Sequence, residues 1–189
     1  MAKRDGALTG AGADDKVARM RLHIGGQVAK PGWKILNINP GPGVDYVGDC
    51  VDLGRFASGS VEEIYASHVL EHLSYVNSLP RALVEWHRVL KQGGRVMISV
   101  PDFEVICRLF LDPARDAAQR FHLMRIAFGG QTDAHDFHFV GLTLELLKFY
   151  LSGTGFSDMQ RVEQFGLFED TSEQDFLGTP ISLNVIAWK

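Results

Sequence analysis

Short apolar runs that favour β-strands alternate along this chain with segments whose apolar residues recur at helical spacing. The segment Val61–Ser67 (VEEIYAS) is the clearest short run. Seven runs are predicted to be strands: Arg21–Ile24, Lys34–Ile38, Val44–Val47, Val61–Ser67, Arg95–Val100, Met159–Phe165 and Ile181–Trp188. This alternation is typical of an α/β protein with a mainly parallel sheet.

The clearest helical pattern lies between the fourth and fifth predicted strands. Leu83, Trp86 and Leu90 share one face with Leu79, as successive turns of a helix require. The Asn-Ser pair at 77–78 supplies N-cap residues, a proline falls in the first turn, and a Gly-Gly pair stops the helix. Further helices are predicted from about His68, over residues 103–128 with a break near Pro113, and from a Thr143 cap to residues 153–155.

The connection between the first two predicted strands is unusually short. It consists of the nine residues GGQVAKPGW, whereas a parallel crossover usually takes about a dozen or more. Either the crossover helix is reduced to about a turn or the first strand is misplaced, and we favour the shortened crossover. At the other end of the chain, the loop 166–180 is long enough to return the last strand antiparallel.

Length and charge limit the classes of function. The chain of 189 residues suffices for one domain with one core. Its net charge is −4, with no Lys/Arg block beyond the N-terminal segment, which argues against a nucleic-acid partner. No apolar run approaches the roughly 20 residues of a membrane helix, so no membrane partner is expected.

The N-terminal segment is polar and rich in Gly and Ala. We expect residues 1–18 to form a disordered leader, followed by a single domain over 19–189. The leader has no apolar core of a secretory signal, so a cytoplasmic location is expected. Cys50 and Cys107 are the only cysteines, and in a reducing compartment they are expected to be free thiols.

Three segments carry a family resemblance. They are LHIGG (22–26), SVEEIYASHVLEHL (60–73) and LKQGGRVMISVPD (90–102). Together they resemble the class I S-adenosylmethionine-dependent methyltransferases, in particular their small type 11-like bacterial branch. The resemblance implies a doubly wound, mainly parallel, seven-stranded Rossmann-like sheet with an antiparallel C-terminal strand. It also implies S-adenosyl-L-methionine as cofactor and a small-molecule or glycan substrate as methyl acceptor.

The resemblance also implies where the cofactor binds. In such folds ligands lie at the carboxyl ends of the central strands. Gly25 and Gly26 would let the backbone approach the methionine part of the cofactor, Asn39 would reach the ribose hydroxyls, and Asp49 would take the adenine amino group. The predicted cofactor-binding residues are His23, Gly25, Gly26, Gln27, Asn39, Asp49, Cys50, Ser67 and His68.

Three of these positions depart from the family pattern. His23 stands where relatives carry an acidic residue, Gln27 where they carry glycine, and Asn39 where most carry Asp. An Asn side chain donates and accepts hydrogen bonds but lacks the charge of Asp. These departures motivate a second hypothesis, in which the chain is a non-catalytic binding or partner module built on the same fold.

The sequence His68-Val-Leu-Glu71-His72 matches the H-x-x-E-H pattern of inverted zinc peptidases. If a helix begins at His68, its imidazole and that of His72 lie four residues apart on one face, as zinc ligation requires. A zinc-dependent hydrolase is therefore a remote third hypothesis. A hydrogen-bonded pair on a helix face is the simpler interpretation, and we assign no metal ligands.

A second cluster, DAHDFH at 133–138, lies in a predicted loop. Methyl transfer to a hydroxyl requires a base, and a histidine steered by a carboxylate suits that role. The predicted catalytic residues are His68, His135, Asp136 and His138. The alternative is a polar loop whose imidazoles cap neighbouring backbone. The sequence does not indicate an oligomeric state.

Overall fold

The computed structural model describes residues 20–189, so the predicted leader over residues 1–18 lies outside the described part of the chain. The strands are β1 (Met20–Ile24), β2 (Lys34–Asn37), β3 (Tyr46–Val47), β4 (Val61–Ser67), β5 (Leu90–Pro101), β6 (Ser157–Val162), β7 (Asp175–Phe176), β8 (Thr179–Pro180) and β9 (Ser182–Trp188). The helices are α1 (Ser78–Val89), α2 (Phe103–Leu111), α3 (Ala117–Phe128) and α4 (Leu144–Gly153).

Seven strands form one sheet in the order β3-β2-β1-β4-β5-β9-β6. The pairs from β3 to β5 are parallel, while β9 runs antiparallel to both β5 and β6. The chain builds outward from β1 to β3 and then returns to place β4 on the other side of β1. This reversal creates a topological switch point between β1 and β4. The predicted doubly wound, mainly parallel sheet with an antiparallel C-terminal strand is confirmed.

The shortened first crossover is confirmed as well. β1 and β2 pair in parallel, with Leu22 opposite Lys34, although residues 25–33 between them contain only bends and a turn. Trp33, at the end of this connection, is buried against Tyr65 on the sheet and fixes the connection there. An aromatic side chain thus covers sheet surface that a longer crossover would cover with a helix.

The main core lies between the sheet and helices α1 and α4. The buried face of α1 includes Leu83 and Trp86, as its helical spacing predicts, and α4 adds Leu147 and Leu151. Thr143 caps α4 by accepting from the Leu146 amide, which confirms the predicted cap. The opposite face of the sheet is covered by Trp33 and loop residues 165–168.

Two predicted helix boundaries were wrong. Instead of a helix from His68, the structure has a single 3₁₀ turn, Leu70–His72. His68 has φ of +53°, and this left-handed conformation interrupts a right-handed helix. Helix α1 ends at Val89 rather than near the Gly-Gly pair, because Leu90 is already extended and pairs with Val61.

The C-terminal third contains more β-structure than the sequence indicated. The predicted break near Pro113 is confirmed between α2 and α3, but the predicted loop 166–180 contains the short antiparallel pair β7–β8 and a 3₁₀ turn. None of the helices in the described region is long and apolar enough to cross a membrane.

Candidate active site

The turn after β1 is built from two glycines that other residues could not replace. Gly25 has φ of +80°, and a Cβ there would lie 2.7 Å from the Val69 side chain. A Cβ on Gly26 would lie 2.5 Å from the His23 ring. The Gly25 amide donates to the Leu36 carbonyl at 2.8 Å. Packing within the fold therefore requires both glycines, apart from any ligand beside them.

A cavity of about 550 Å³, the first cavity, opens at the carboxyl ends of β1 to β4. Its walls are the glycine turn, the segments after β2 and β3, the 3₁₀ turn and part of the loop 129–142. Eight of the predicted site residues line it: Gly25, Gln27, Asn39, Asp49, Cys50, His68, His135 and Asp136. The structure therefore brings together residues from five separate parts of the sequence.

Asn37, rather than Asn39, ends β2 and holds the glycine turn in place. Its Nδ2 donates to the carbonyls of Gly25 at 3.1 Å and Gly26 at 2.9 Å, and its Oδ1 accepts from the Asn39 amide at 2.9 Å. The side chains of Asn39 and Asp49 are exposed on the cavity wall. The amide and the carboxylate together offer the donors and acceptors that a nucleoside requires.

Cys50 contributes packing rather than reactivity to this wall. Burial, together with the adjacent Asp49, raises the pKa of the Cys50 thiol to about 12, so the thiol stays neutral at physiological pH. The backbone carbonyl of Cys50 accepts from the Trp86 indole at 3.0 Å, which joins this segment to α1. Both Cys50 and Cys107 are free thiols, as predicted.

A second cavity of about 780 Å³ lies on the other side of the glycine turn. The loop 167–171 closes it, and the predicted residues His23, Gly26 and Ser67 line it. Three predicted residues line both cavities: Gly25, Gln27 and His68. Gln27 is exposed at this boundary, and its side chain leaves both cavities open.

His23 is buried and surrounded by aromatic rings. Its ring lies 5.0 Å from that of Tyr65 and 4.2 Å from that of Phe168, between centroids. Burial lowers the pKa of His23 to about 4, although Asp170 acts in the opposite direction. His23 is therefore neutral at physiological pH.

Tyr65 and Asp170 fix the loop 167–171 over the end of β4. The Tyr65 hydroxyl donates to the Asp170 carboxylate at 2.8 Å, and Ser67 Oγ donates to it at 3.3 Å. Burial raises the pKa of the Tyr65 hydroxyl, which keeps its proton available for donation. Sequence reasoning missed this contact because the two residues are 105 positions apart and neither lies in a recognisable motif.

His68 is held at both ring nitrogens. Its Nδ1 lies 3.0 Å from Glu71 Oε1, and its Nε2 lies 3.2 Å from Ser182 Oγ. Because Ser182 Oγ donates its proton to the Thr171 carbonyl at 2.7 Å, it must accept from His68 Nε2–H. His68 thus connects the 3₁₀ turn to β9.

The catalytic residues predicted in the loop 129–142 occupy three different environments. His135 is exposed and lines the first cavity. The Asp136 carboxylate accepts from Thr132 Oγ1 at 2.7 Å and from the Gly130 amide at 3.3 Å. These bonds lower the pKa of Asp136 and give it the role of ordering the loop. His138 lines neither cavity and lies against His72, with 4.6 Å between ring centroids.

Strands β1 to β5 form a parallel sheet in the order 3-2-1-4-5, which an antiparallel strand extends, and the first cavity lies at its switch point. This is the fold of class I methyltransferases. Residues 27–98 match the family model described as a methyltransferase domain. No curated protein sequence matches the chain significantly. The chain therefore shares the fold of the class I S-adenosylmethionine-dependent methyltransferases, and residues 27–98 resemble their methyltransferase domain in sequence.

Solved structures show the same fold at low sequence identity. A methyltransferase from Archaeoglobus fulgidus is 17% identical with a TM-score of 0.57, and the alignment covers 90% of this chain and 86% of that one. The YcgJ protein of Bacillus subtilis is 16% identical with a TM-score of 0.56 and 94% coverage of both chains. A methyltransferase from Mesorhizobium loti is 20% identical with a TM-score of 0.51 and 90% coverage of both. The family implies S-adenosyl-L-methionine as the cofactor.

Proposed function

We propose that this chain transfers the methyl group of S-adenosyl-L-methionine to a hydroxyl-bearing small molecule or glycan. The observation that carries the proposal is the first cavity, which the ends of four adjacent strands reach at the switch point. Its volume of about 550 Å³ falls within the range of roughly 300–1,000 Å³ typical of small-molecule sites.

The residues on the cavity wall fit the cofactor. Gly25 offers backbone beside the cavity without a side chain, Asp49 offers a carboxylate for the adenine amino group, and Asn39 offers an amide for the ribose hydroxyls. The departure at Gln27 leaves this fit intact, because its side chain is exposed and the cavity remains open beside it. This openness favours cofactor binding over the non-catalytic hypothesis.

The acceptor is assigned to the second cavity, on the far side of Gln27 and His68. Phe168 lines this cavity as an aromatic surface, and Glu169 and Asp170 add carboxylates, which accept hydrogen bonds from hydroxyl groups. When bound, the cofactor would supply an electrophilic methyl group to the acceptor oxygen, with sulfur keeping the electron pair of the broken carbon–sulfur bond. The hydroxyl proton would pass to a carboxylate of the second cavity, Glu169 or Asp170. His68 lies between the two cavities and orients the groups that meet there.

The structure does not support the zinc peptidase hypothesis based on the H-x-x-E-H pattern. It requires His68 and His72 on one α-helix, and this segment forms only a short 3₁₀ turn that begins after His68. His68 Nδ1 faces Glu71, and its Nε2 faces Ser182, so both ring nitrogens are already engaged.

Calorimetry with S-adenosylhomocysteine tests the proposal. Wild-type protein is expected to bind one equivalent, and Asp49→Asn is expected to weaken binding by about tenfold, since a hydrogen bond to a charged group contributes roughly 1.5 kcal/mol. The matched control is Glu145→Gln, the same loss of charge at an exposed position in α4, which should bind like wild type.

Turnover separates the enzyme from the binding module. Release of S-adenosylhomocysteine from S-adenosylmethionine is measured in the presence of a panel of monosaccharides and sugar phosphates. Release that depends on an added sugar supports the proposal. Binding without release on any acceptor supports the non-catalytic module, and the absence of any binding heat at millimolar S-adenosylhomocysteine contradicts the proposed methyl transfer.

A further inference from the structure

A compact cluster of metal-ligating groups lies behind the wall of the first cavity. Ligand atoms of Glu71, His72 and His138 all lie within 4.8 Å of one another. Glu71 and His72 come from the 3₁₀ turn after β4, and His138 comes from the loop 129–142. The Phe139 amide donates to the Glu71 carbonyl at 2.8 Å, so backbone contacts fix the two segments against each other.

The two imidazoles are oriented as metal ligands are. His72 Nδ1 lies 3.2 Å from the Phe137 carbonyl, and His138 Nδ1 lies 2.9 Å from the Ile126 carbonyl. A carbonyl oxygen can only accept, so Nδ1 carries the proton in both rings and the lone pair is on Nε2. Histidine ligands usually donate their second ring N–H to a backbone carbonyl or a carboxylate in this manner.

Glu71 is a buried carboxylate with unused capacity. It is 1% exposed, and within the described residues its Oε2 has no hydrogen-bond partner. Oε1 lies within ion-pair distance of His68 Nδ1, at 3.0 Å. An ionised carboxylate buried in this way requires a compensating charge or ligand.

We propose that Glu71, His72 and His138 bind a divalent first-row transition-metal ion. Two nitrogens and one carboxylate oxygen match the donor set of open, catalytic zinc sites, and they do not match the all-oxygen sites of calcium and magnesium. His72 also lines the first cavity, so the remaining coordination position is accessible from that side.

Titration with Zn²⁺ alone tests the site and requires no nucleoside, so its result is independent of the proposed methyl transfer. Chelator-treated wild-type protein is expected to bind one equivalent in the presence of a competing indicator. Co²⁺ is expected to give the visible absorption of a low-coordinate site. His138→Gln and Glu71→Gln are expected to weaken Zn²⁺ binding by about 100-fold or more, because loss of second-shell partners alone weakens metal affinity by 10–100-fold.

The control is His135→Gln, which removes an exposed imidazole from the same loop and should leave Zn²⁺ binding unchanged. Circular dichroism identifies any variant that fails to fold, and the Co²⁺ spectrum of the wild type provides evidence that does not depend on any variant. Absence of a one-to-one Zn²⁺ complex, or a folded His138→Gln protein that binds as tightly as wild type, would overturn the proposal.

Discussion

At the scale of single residues, His23 shows how burial determines the behaviour of a polar group. Its Nδ1 has no hydrogen-bond partner among the described residues, and the surrounding aromatic rings cannot stabilise a cation as water does. The pKa of His23 is lowered from 6.5 to about 4. Between pH 6.5 and about 4, His23 binds a proton in the unfolded chain but stays neutral in the folded chain. The free energy of unfolding therefore falls as the pH falls through this range.

We therefore predict that His23 makes the fold sensitive to acid. Between about pH 7.5 and about pH 5, the free energy of unfolding of the wild type should fall by about 2 kcal/mol more than that of His23→Asn. Urea unfolding at each pH measures this difference. All other ionisable groups are the same in the two proteins, so their contributions cancel. Parallel pH profiles for the two proteins would contradict the assigned pKa of His23.

The site residues that could be predicted from the sequence are those that lie next to a local pattern, such as the end of a predicted strand. Gly25, Gly26 and Asp49 follow predicted strands, and the parallel sheet brings strand ends together. The resemblance assigned Asn39 to the end of β2, but in the structure Asn37, two residues earlier, ends this strand. A shift of this size lies within the usual uncertainty of strand ends.

At the scale of elements, side chains of neighbouring segments hold the loop 167–171 in position. Tyr65 and Ser67 of β4 both donate to Asp170, and Lys30 Nζ donates to the Leu167 carbonyl from the first crossover. These bonds hold the loop over the second cavity without a regular element of its own.

We predict that Tyr65→Phe releases this loop. Loss of a hydrogen bond to a carboxylate should lower the free energy of unfolding by about 1.5–3 kcal/mol. Amide hydrogen exchange over residues 167–173 should become faster, while exchange in α1 should change little. The control is Tyr46→Phe, which removes a hydroxyl from β3, away from this loop. Unchanged exchange over 167–173 in Tyr65→Phe would show that other contacts fix the loop.

Elements could be predicted where the pattern is local. β4 has the predicted bounds, and the cap of α4 is Thr143, as expected from the sequence. The helix expected from His68 was wrong because a backbone contact to β5, from the His68 amide to the Ser99 carbonyl at 2.9 Å, accompanies the left-handed conformation there. Contacts of this kind depend on tertiary structure that periodicity does not encode.

At the scale of the whole molecule, strand order places two proposed ligand sites side by side. The switch point between β1 and β4 opens the first cavity, and the 3₁₀ turn after β4 forms both a wall of that cavity and part of the metal cluster. His72 and His138 each stand out in the sequence, but 65 residues separate them. Their proximity could not be predicted, because it depends on the path of the loop 129–142 in the folded chain.

The two sites should stabilise the fold separately, and this gives the last prediction. A ligand that binds only the native state at 100 times its Kd adds about 2.7 kcal/mol to the free energy of unfolding. Zn²⁺ and S-adenosylhomocysteine should each raise the Tm of the wild type. Asp49→Asn should weaken only the nucleoside response and His138→Gln only the Zn²⁺ response, because Asp49 lines the cavity and His138 lies behind its wall.

Thermal melts of the three proteins with each ligand distinguish the ways in which this arrangement could be wrong. If His138→Gln loses the nucleoside response while keeping its ligand-free Tm, His138 serves the cofactor cavity and the two sites are one. If it keeps the full Zn²⁺ response, the ion binds elsewhere on the chain. Two separate sites are supported only if Asp49→Asn loses the Tm response to S-adenosylhomocysteine alone and His138→Gln loses the Tm response to Zn²⁺ alone.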